Sequence, residues 1–213
     1  MTLEEILGLA PVVPVLIIED EADAVPLGRA LVAGGLPVLE VTLRTPAALD
    51  CIRRMVGEVE GAVVGAGTVI GPQDRLAAIE AGARFTVSPG LVEGAVAGGP
   101  APLLPGVATA TELIAGLAAG FRLFKLFPAN VVGGEAALKA FASPFPQARF
   151  CPTGGVGLAN AGDYLALPNV ICVGGSWVAP PEAIRAGDWG RITALAQEAR
   201  GLSQKSEKTR PSP

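Results

Sequence analysis

The chain has 213 residues, half of them hydrophobic and only 17% charged, with a formal net charge of −4. That balance describes one globular domain with a large interior and excludes a disordered chain, and its acidic sign argues against nucleic acid or an anionic membrane as a partner. Histidine is absent altogether, which removes Ser-His and Cys-His nucleophile pairs and histidine metal sites, and leaves proton transfer to carboxylate, lysine, tyrosine, cysteine or water.

The N-terminal stretch carries Glu4 and Glu5 early and lacks a basic segment followed by an apolar run, so no secretory signal is expected. Residues 3–9 read as a short extra helix able to plug the bottom of a barrel. Eight strands follow in chain order, over residues 12–18, 38–43, 62–69, 84–88, 102–107, 122–127, 149–153 and 170–174. They are continuous apolar runs rather than alternating ones, the pattern of parallel strands buried on both faces. Helical segments lie between them, among others over 22–33, 46–59, 72–81, 109–119 and 135–142, several opening on Pro or Thr and closing at Gly34, Gly82 or Gly120. A terminal helix is expected over 184–202, and a polar tail over 203–213 with two prolines is expected to be disordered. Eight strand–helix units in about 200 residues predict a single-domain (β/α)8 TIM barrel over 1–202, with a doubly wound open sheet as the alternative.

Cys51, Cys151 and Cys172 are an odd number without metal-ligand spacing, and two lie in apolar strand-like runs. They read as reduced core thiols of a cytoplasmic protein. No apolar stretch reads as a membrane span.

Lys125 stands out in the run Phe121-Arg122-Leu123-Phe124-Lys125-Leu126-Phe127-Pro128. An unpaired ammonium is costly to bury, so a lysine here favours its neutral, nucleophilic form, which is what imine (Schiff-base) chemistry requires. In a barrel, reactive groups belong at the C-terminal ends of strands. The second strand ends Leu39-Glu40-Val41-Thr42-Leu43-Arg44-Thr45, which predicts Glu40, Thr42 and Arg44 on one face: a proton carrier and an anion anchor, or simply a self-satisfied pair. Gly65-Ala66-Gly67-Thr68 with Gly71 misses the dinucleotide spacing by one residue; it reads instead as close backbone approach to a small ligand, with the Thr68 hydroxyl on offer. The seventh and eighth strands end in Thr153-Gly154-Gly155 and Gly174-Gly175-Ser176, two glycine pairs placed as phosphate-binding loops. Ser88-Pro89-Gly90 and Pro105-Gly106 read equally as plain turns.

These segments together resemble the bacterial 2-keto-3-deoxy-6-phosphogluconate (KDPG) and 4-hydroxy-2-oxoglutarate (KHG) aldolase family, over residues 11–192. The matching motifs also include Val12-Val13-Pro14-Val15, Val87-Ser88-Pro89-Gly90, Leu104-Pro105-Gly106, Phe124-Lys125-Leu126-Phe127-Pro128-Ala129, Phe150-Cys151-Pro152-Thr153-Gly154-Gly155 and Val173-Gly174-Gly175-Ser176-Trp177. The resemblance implies a homotrimeric barrel and a class I mechanism without metal or cofactor. The implied substrate is a phosphorylated keto acid, cleaved to pyruvate and glyceraldehyde 3-phosphate. It makes Lys125 the imine lysine, Glu40 the general acid/base, and Arg44 with Thr68 the carboxylate anchors. Phe127 then walls the site, and Pro89, Thr153, Gly154, Gly155, Gly174, Gly175 and Ser176 contact substrate. Asn130 departs from the pattern, since many relatives carry an acidic residue just after Phe-Pro-Ala. Two rival readings are another phosphate-binding barrel enzyme and a non-catalytic binding module; neither requires both Lys125 and Glu40.

Overall fold

Apolar runs that alternate with Ala/Leu-rich stretches bury both faces when the runs pair in parallel and helices cover them. A computed structural model describes residues 1–202, and the tail expected over 203–213 lies outside the described residues. The chain begins with α1 (Leu3–Leu7), β1 (Val12–Leu16), α2 (Glu21–Ala33), β2 (Val38–Thr42), α3 (Ala48–Glu58), β3 (Val63–Gly67) and α4 (Pro72–Glu80). It continues through β4 (Thr86–Val87), β5 (Leu103–Leu104), β6 (Gly106–Val107), α5 (Ala110–Ala118), β7 (Leu123–Leu126) and α6 (Gly134–Ala142). It closes with β8 (Arg149–Pro152), α7 (Leu158–Leu165), β9 (Val173–Gly175), α8 (Pro181–Arg185) and α9 (Trp189–Arg200).

The result is a single-domain α/β fold in which each strand pairs in parallel with its neighbours. One sheet runs β5-β4-β3-β2-β1-β9 and the other β6-β7-β8. The predicted strand over 102–107 is divided by Pro105, which has no N–H to give the ladder. Its first half pairs with β4 and its second with β7, so this run belongs to both sheets. Isolated parallel bridges, Phe150 to Val170 and Thr153 to Gly174, link β8 to the run that leads into β9. Eight uninterrupted strands were expected; nine shorter segments are found among the described residues. The helix expected over 184–202 is also divided, because Gly187 has φ 63° and cannot continue a helix. Asp188 then caps α9, its carboxylate accepting from the Arg191 N–H at 3.0 Å. Helix α7 was not singled out in the sequence; it starts at Gly157, whose N–H donates to Asn160 Oδ1 at 2.8 Å.

Alternation along the strands sorts residues onto two faces. Val38 joins one buried cluster, with Val13, Val63, Phe85, Val87, Leu104, Cys151 and Cys172, while Leu39 and Val41 join the helix-facing cluster. Glu40 therefore shares the inner face with Val38, and by the same alternation Lys125 shares it with Leu123. Helix α1 supports this inner layer. Thr2 and Glu5 form its capping box, and Leu3, Ile6 and Leu7 pack into the inner cluster, as the plug expectation requires. Each such buried aliphatic side chain contributes roughly 1.5–3 kcal/mol by leaving water. Among the described residues, no helix is long and apolar enough to cross a membrane.

Candidate active site

Lys125 sits on β7 between Gly106 and Cys151 in register, and its amide donates to the Pro105 carbonyl at 2.8 Å. Its Nζ donates to Glu40 Oε1 at 3.1 Å, and each residue is only 3% exposed. The ammonium foreseen as unpaired thus has a carboxylate partner, which offsets part of the desolvation of both charges. The same Nζ lies 5.3 Å from the centre of the Phe127 ring, close enough for a cation–π contact.

Glu40 is level with Gly65 on the neighbouring strand, but its side chain leans up the strand onto Gly67. A β-carbon at Gly67 would collide with Glu40 Oε1 and lie 2.7 Å from its Cγ. At Gly65 the space is taken by the Phe85 ring, whose Cδ1 would be 2.6 Å from a β-carbon. Two protein side chains, those of Phe85 and Glu40, therefore occupy the space beside the glycines of Gly65-Ala66-Gly67. This role of Gly67 escaped the sequence because it depends on which side chain leans onto it.

The expected common face of Glu40, Thr42 and Arg44 is modified by the end of β2. Thr42 is fully buried and its hydroxyl donates to the Leu16 carbonyl at 2.9 Å. Arg44 lies in the turn beyond the strand, exposed, where its Nε donates to Thr68 Oγ1 at 3.0 Å. Thr68 has φ 61°, a left-handed conformation that a β-branched residue seldom adopts. It directly follows Gly67, against which the Glu40 carboxylate lies, so Arg44 is tied to the residue next to that slot.

The two glycine pairs lie side by side, as the Thr153–Gly174 bridge requires. Gly154 and Gly155 have φ 96° and 71°, backbone that residues with a side chain rarely adopt. Packing also demands these glycines. A β-carbon at Gly174 would collide with the Thr153 hydroxyl, at Gly155 with Asn130, and at Gly175 with the Trp177 ring. At Gly154 it would meet Phe127 Cε2 at 3.4 Å, which ties this loop to the ring beneath Lys125. Asn130, the departure from the family pattern, is held here by its N–H donating to the Gly154 carbonyl at 3.1 Å. Pro89 backs onto Gly106, the register neighbour of Lys125, and Ser176 is exposed beside Gly175. Among the described residues, Lys125 hydrogen-bonds to Glu40 and to no other side chain expected in the site.

Cys151 and Cys172 lie on the inner face near this pair, and all three cysteines are free thiols. A hydrogen bond with Cys151, followed by burial, raises the Cys172 thiol well above its ordinary value. Among the described residues, no group of three or more His, Cys, Asp or Glu is placed to hold a metal ion.

A lysine amine beside a buried carboxylate, with an arginine fork nearby for a carboxylate, is equipped to form an imine on a keto acid and to move protons around it. Together with the parallel α/β scaffold this defines a carbon–carbon lyase of the aldolase class. The model of the KDPG and KHG aldolases matches residues 3–195, and the chain belongs to that family. The KHG/KDPG aldolase of Escherichia coli (strain K12) is 54% identical over 199 residues, covering 92% of this chain and 93% of that protein. The KDPG aldolase of Legionella pneumophila, solved with pyruvate captured at low pH as a covalent carbinolamine intermediate, superimposes with TM-score 0.88 at 44% identity, over 92% of this chain and 97% of that one. The 2-keto-3-deoxy-6-phosphogluconate aldolase of Zymomonas mobilis ZM4 with 3-phosphoglycerate gives TM-score 0.86 at 51% identity, over 93% and 95% of the two chains.

Proposed function

We propose that this chain cleaves 2-keto-3-deoxy-6-phosphogluconate to pyruvate and glyceraldehyde 3-phosphate, and 4-hydroxy-2-oxoglutarate to pyruvate and glyoxylate, through an imine on Lys125. The observation that carries this reading is the buried Lys125–Glu40 pair, with Nζ and Oε1 3.1 Å apart. Glu40 takes a proton from the ammonium, and the freed amine adds to the C2 ketone to give a carbinolamine. Glu40 returns the proton to the departing hydroxyl, so water leaves and a protonated imine remains. The carboxylate then takes the C4 hydroxyl proton as the C3–C4 bond breaks, and the bonding pair moves into the imine to give an enamine. The aldehyde departs, Glu40 delivers its proton to C3, and water hydrolyses the imine to pyruvate and free lysine.

Arg44, oriented by Thr68, grips the C1 carboxylate with a planar fork, and Phe127 walls the imine. The loops at Thr153-Gly154-Gly155 and Gly174-Gly175-Ser176 hold the terminal phosphate, a role supported by their adjacency at the C-terminal ends of β8 and β9. Pro89 completes the wall on the Gly106 side.

The same reading extends to architecture. A closed eight-stranded barrel over residues 1–202 is supported by the double pairing of the run divided at Pro105 and by the bridges that join β8 to the β9 run. A homotrimer is what the family resemblance implies. A cytoplasmic location is supported by three buried free thiols.

The deciding experiment is reduction with borohydride in the presence of pyruvate, followed by peptide mass mapping. One adduct per chain on Lys125 is expected. An adduct on the exposed Lys139, or full activity in Lys125→Ala, would overturn the reading.

A further inference from the structure

Strand β3 presents two glycines on its inner face, and they are filled differently. The Gly65 space holds the Phe85 ring, a rigid and fully buried group, whereas the Gly67 space holds the end of the Glu40 side chain. Gly67 does not have a left-handed φ, so its backbone accepts an ordinary side chain. What forbids one is the carboxylate: a β-carbon there would collide with Oε1 and lie 2.7 Å from Cγ and 2.8 Å from Cδ of Glu40. The neighbour most able to yield is that flexible side-chain end, and any retreat pulls Oε1 away from Lys125 Nζ, now 3.1 Å distant.

We infer that Gly67 is a positioning residue for Glu40, an empty slot that lets the carboxylate lie against the strand within reach of the Lys125 amine and of the substrate atoms bound to it. The inference rests on reading Glu40 as the proton carrier. In that role the carboxylate serves several atoms in turn, Nζ, the leaving hydroxyl, the C4 hydroxyl and C3, so it needs both a defined resting place and freedom to swing. A glycine supplies both, because it adds no side-chain atoms on the face where the carboxylate moves. Thr68, next in sequence, bonds Arg44, so one short segment sets the proton carrier and the anion anchor together.

The test is a double-mutant cycle of Gly67→Ala with Glu40→Ala, read by cleavage rate, by borohydride trapping of pyruvate, and by deuterium exchange into the pyruvate methyl group. A displacement of the carboxylate by about 1 Å is expected to lower kcat roughly a hundredfold. Gly67→Ala should lose this factor in both cleavage and methyl exchange while still trapping pyruvate on Lys125. In the Glu40→Ala background the same change should cost nothing further, since no carboxylate remains to be displaced. An equal loss in both backgrounds would show a general effect of the methyl group on the strand and overturn the inference. So would parental rates in Gly67→Ala, or its failure to fold, which would mean that the backbone yields before the carboxylate. Parental activity in Glu40→Ala alone would instead overturn the reading of Glu40 as proton carrier.

Discussion

Lys125 and Glu40, 85 positions apart in the chain, meet as a 3.1 Å ion pair in which each side chain is 4% exposed. Removing one partner leaves the other charge buried alone, which costs about 3–5 kcal/mol, whereas replacing both with apolar groups of similar size is neutral or stabilising by about 1–4 kcal/mol. Lys125→Met and Glu40→Met should each lower the urea midpoint, and the double variant should recover it while remaining inactive. A double variant as unstable as the sum of the singles would show that the pair is not what links them.

The carboxylate has its own kinetic signature. Glu40→Gln keeps the shape of the side chain but cannot carry a proton, so cleavage should fall by roughly two to four orders of magnitude. Pyruvate should still be trapped on Lys125 in this variant, but more slowly, with water carrying the protons of imine formation in place of the carboxylate. Turnover at the parental rate would reduce Glu40 to a charge partner.

The phosphate loops call for a gentler change than bulk at their glycines. Gly155, Gly174 and Gly175 are packed against Asn130, Thr153 and Trp177, so larger residues there would disturb the fold as well as any ligand. Ser176 is exposed and free of that constraint. Ser176→Asp should lower kcat/KM for the phosphorylated substrate at least roughly tenfold more than for 4-hydroxy-2-oxoglutarate, because only the former brings a phosphate to repel. Equal effects on the two substrates would leave the loops as turn-formers.

Exhaustive EDTA treatment should leave activity undiminished, since imine formation supplies the electron sink that a divalent metal provides in other aldolases. Loss of activity restored by zinc or magnesium would place the enzyme in the metal-dependent class.

Alkaline stability should report Cys51. Burial first, then the Glu21 and Asp50 carboxylates, push its thiol from 9.0 up to about 11. The folded chain thus holds this proton more tightly than the unfolded one. Its contribution is complete below about pH 9 and is lost as pH rises through about 11. The urea midpoint should therefore fall more steeply across that window in the parent than in Cys51→Ala, whose overall stability is lower from the lost side-chain volume. Parallel slopes would show that other groups govern the alkaline limb.

Much of this protein was determined by local sequence chemistry. The apolar runs had to become strands buried on two faces, since nothing else hides so many consecutive aliphatic residues between short helices. Lys125 was conspicuous because a cation amid Phe124, Leu126 and Phe127 is costly without a purpose, and the Glu40 run was legible by its charge within an apolar stretch. The breaks were less legible: Pro105 divides one strand and Gly187 one helix, each at a residue whose effect depends on which hydrogen bonds its neighbours need. Only the tertiary structure decided which groups meet. It brought Glu40 onto Lys125, ended β2 at Thr42 so that Arg44 turns to Thr68, and set the Phe85 and Glu40 side chains against the two glycines of β3. Periodicity fixes the face on which a side chain emerges, but how far it leans along its strand, and what it finds there, depends on segments distant in the chain.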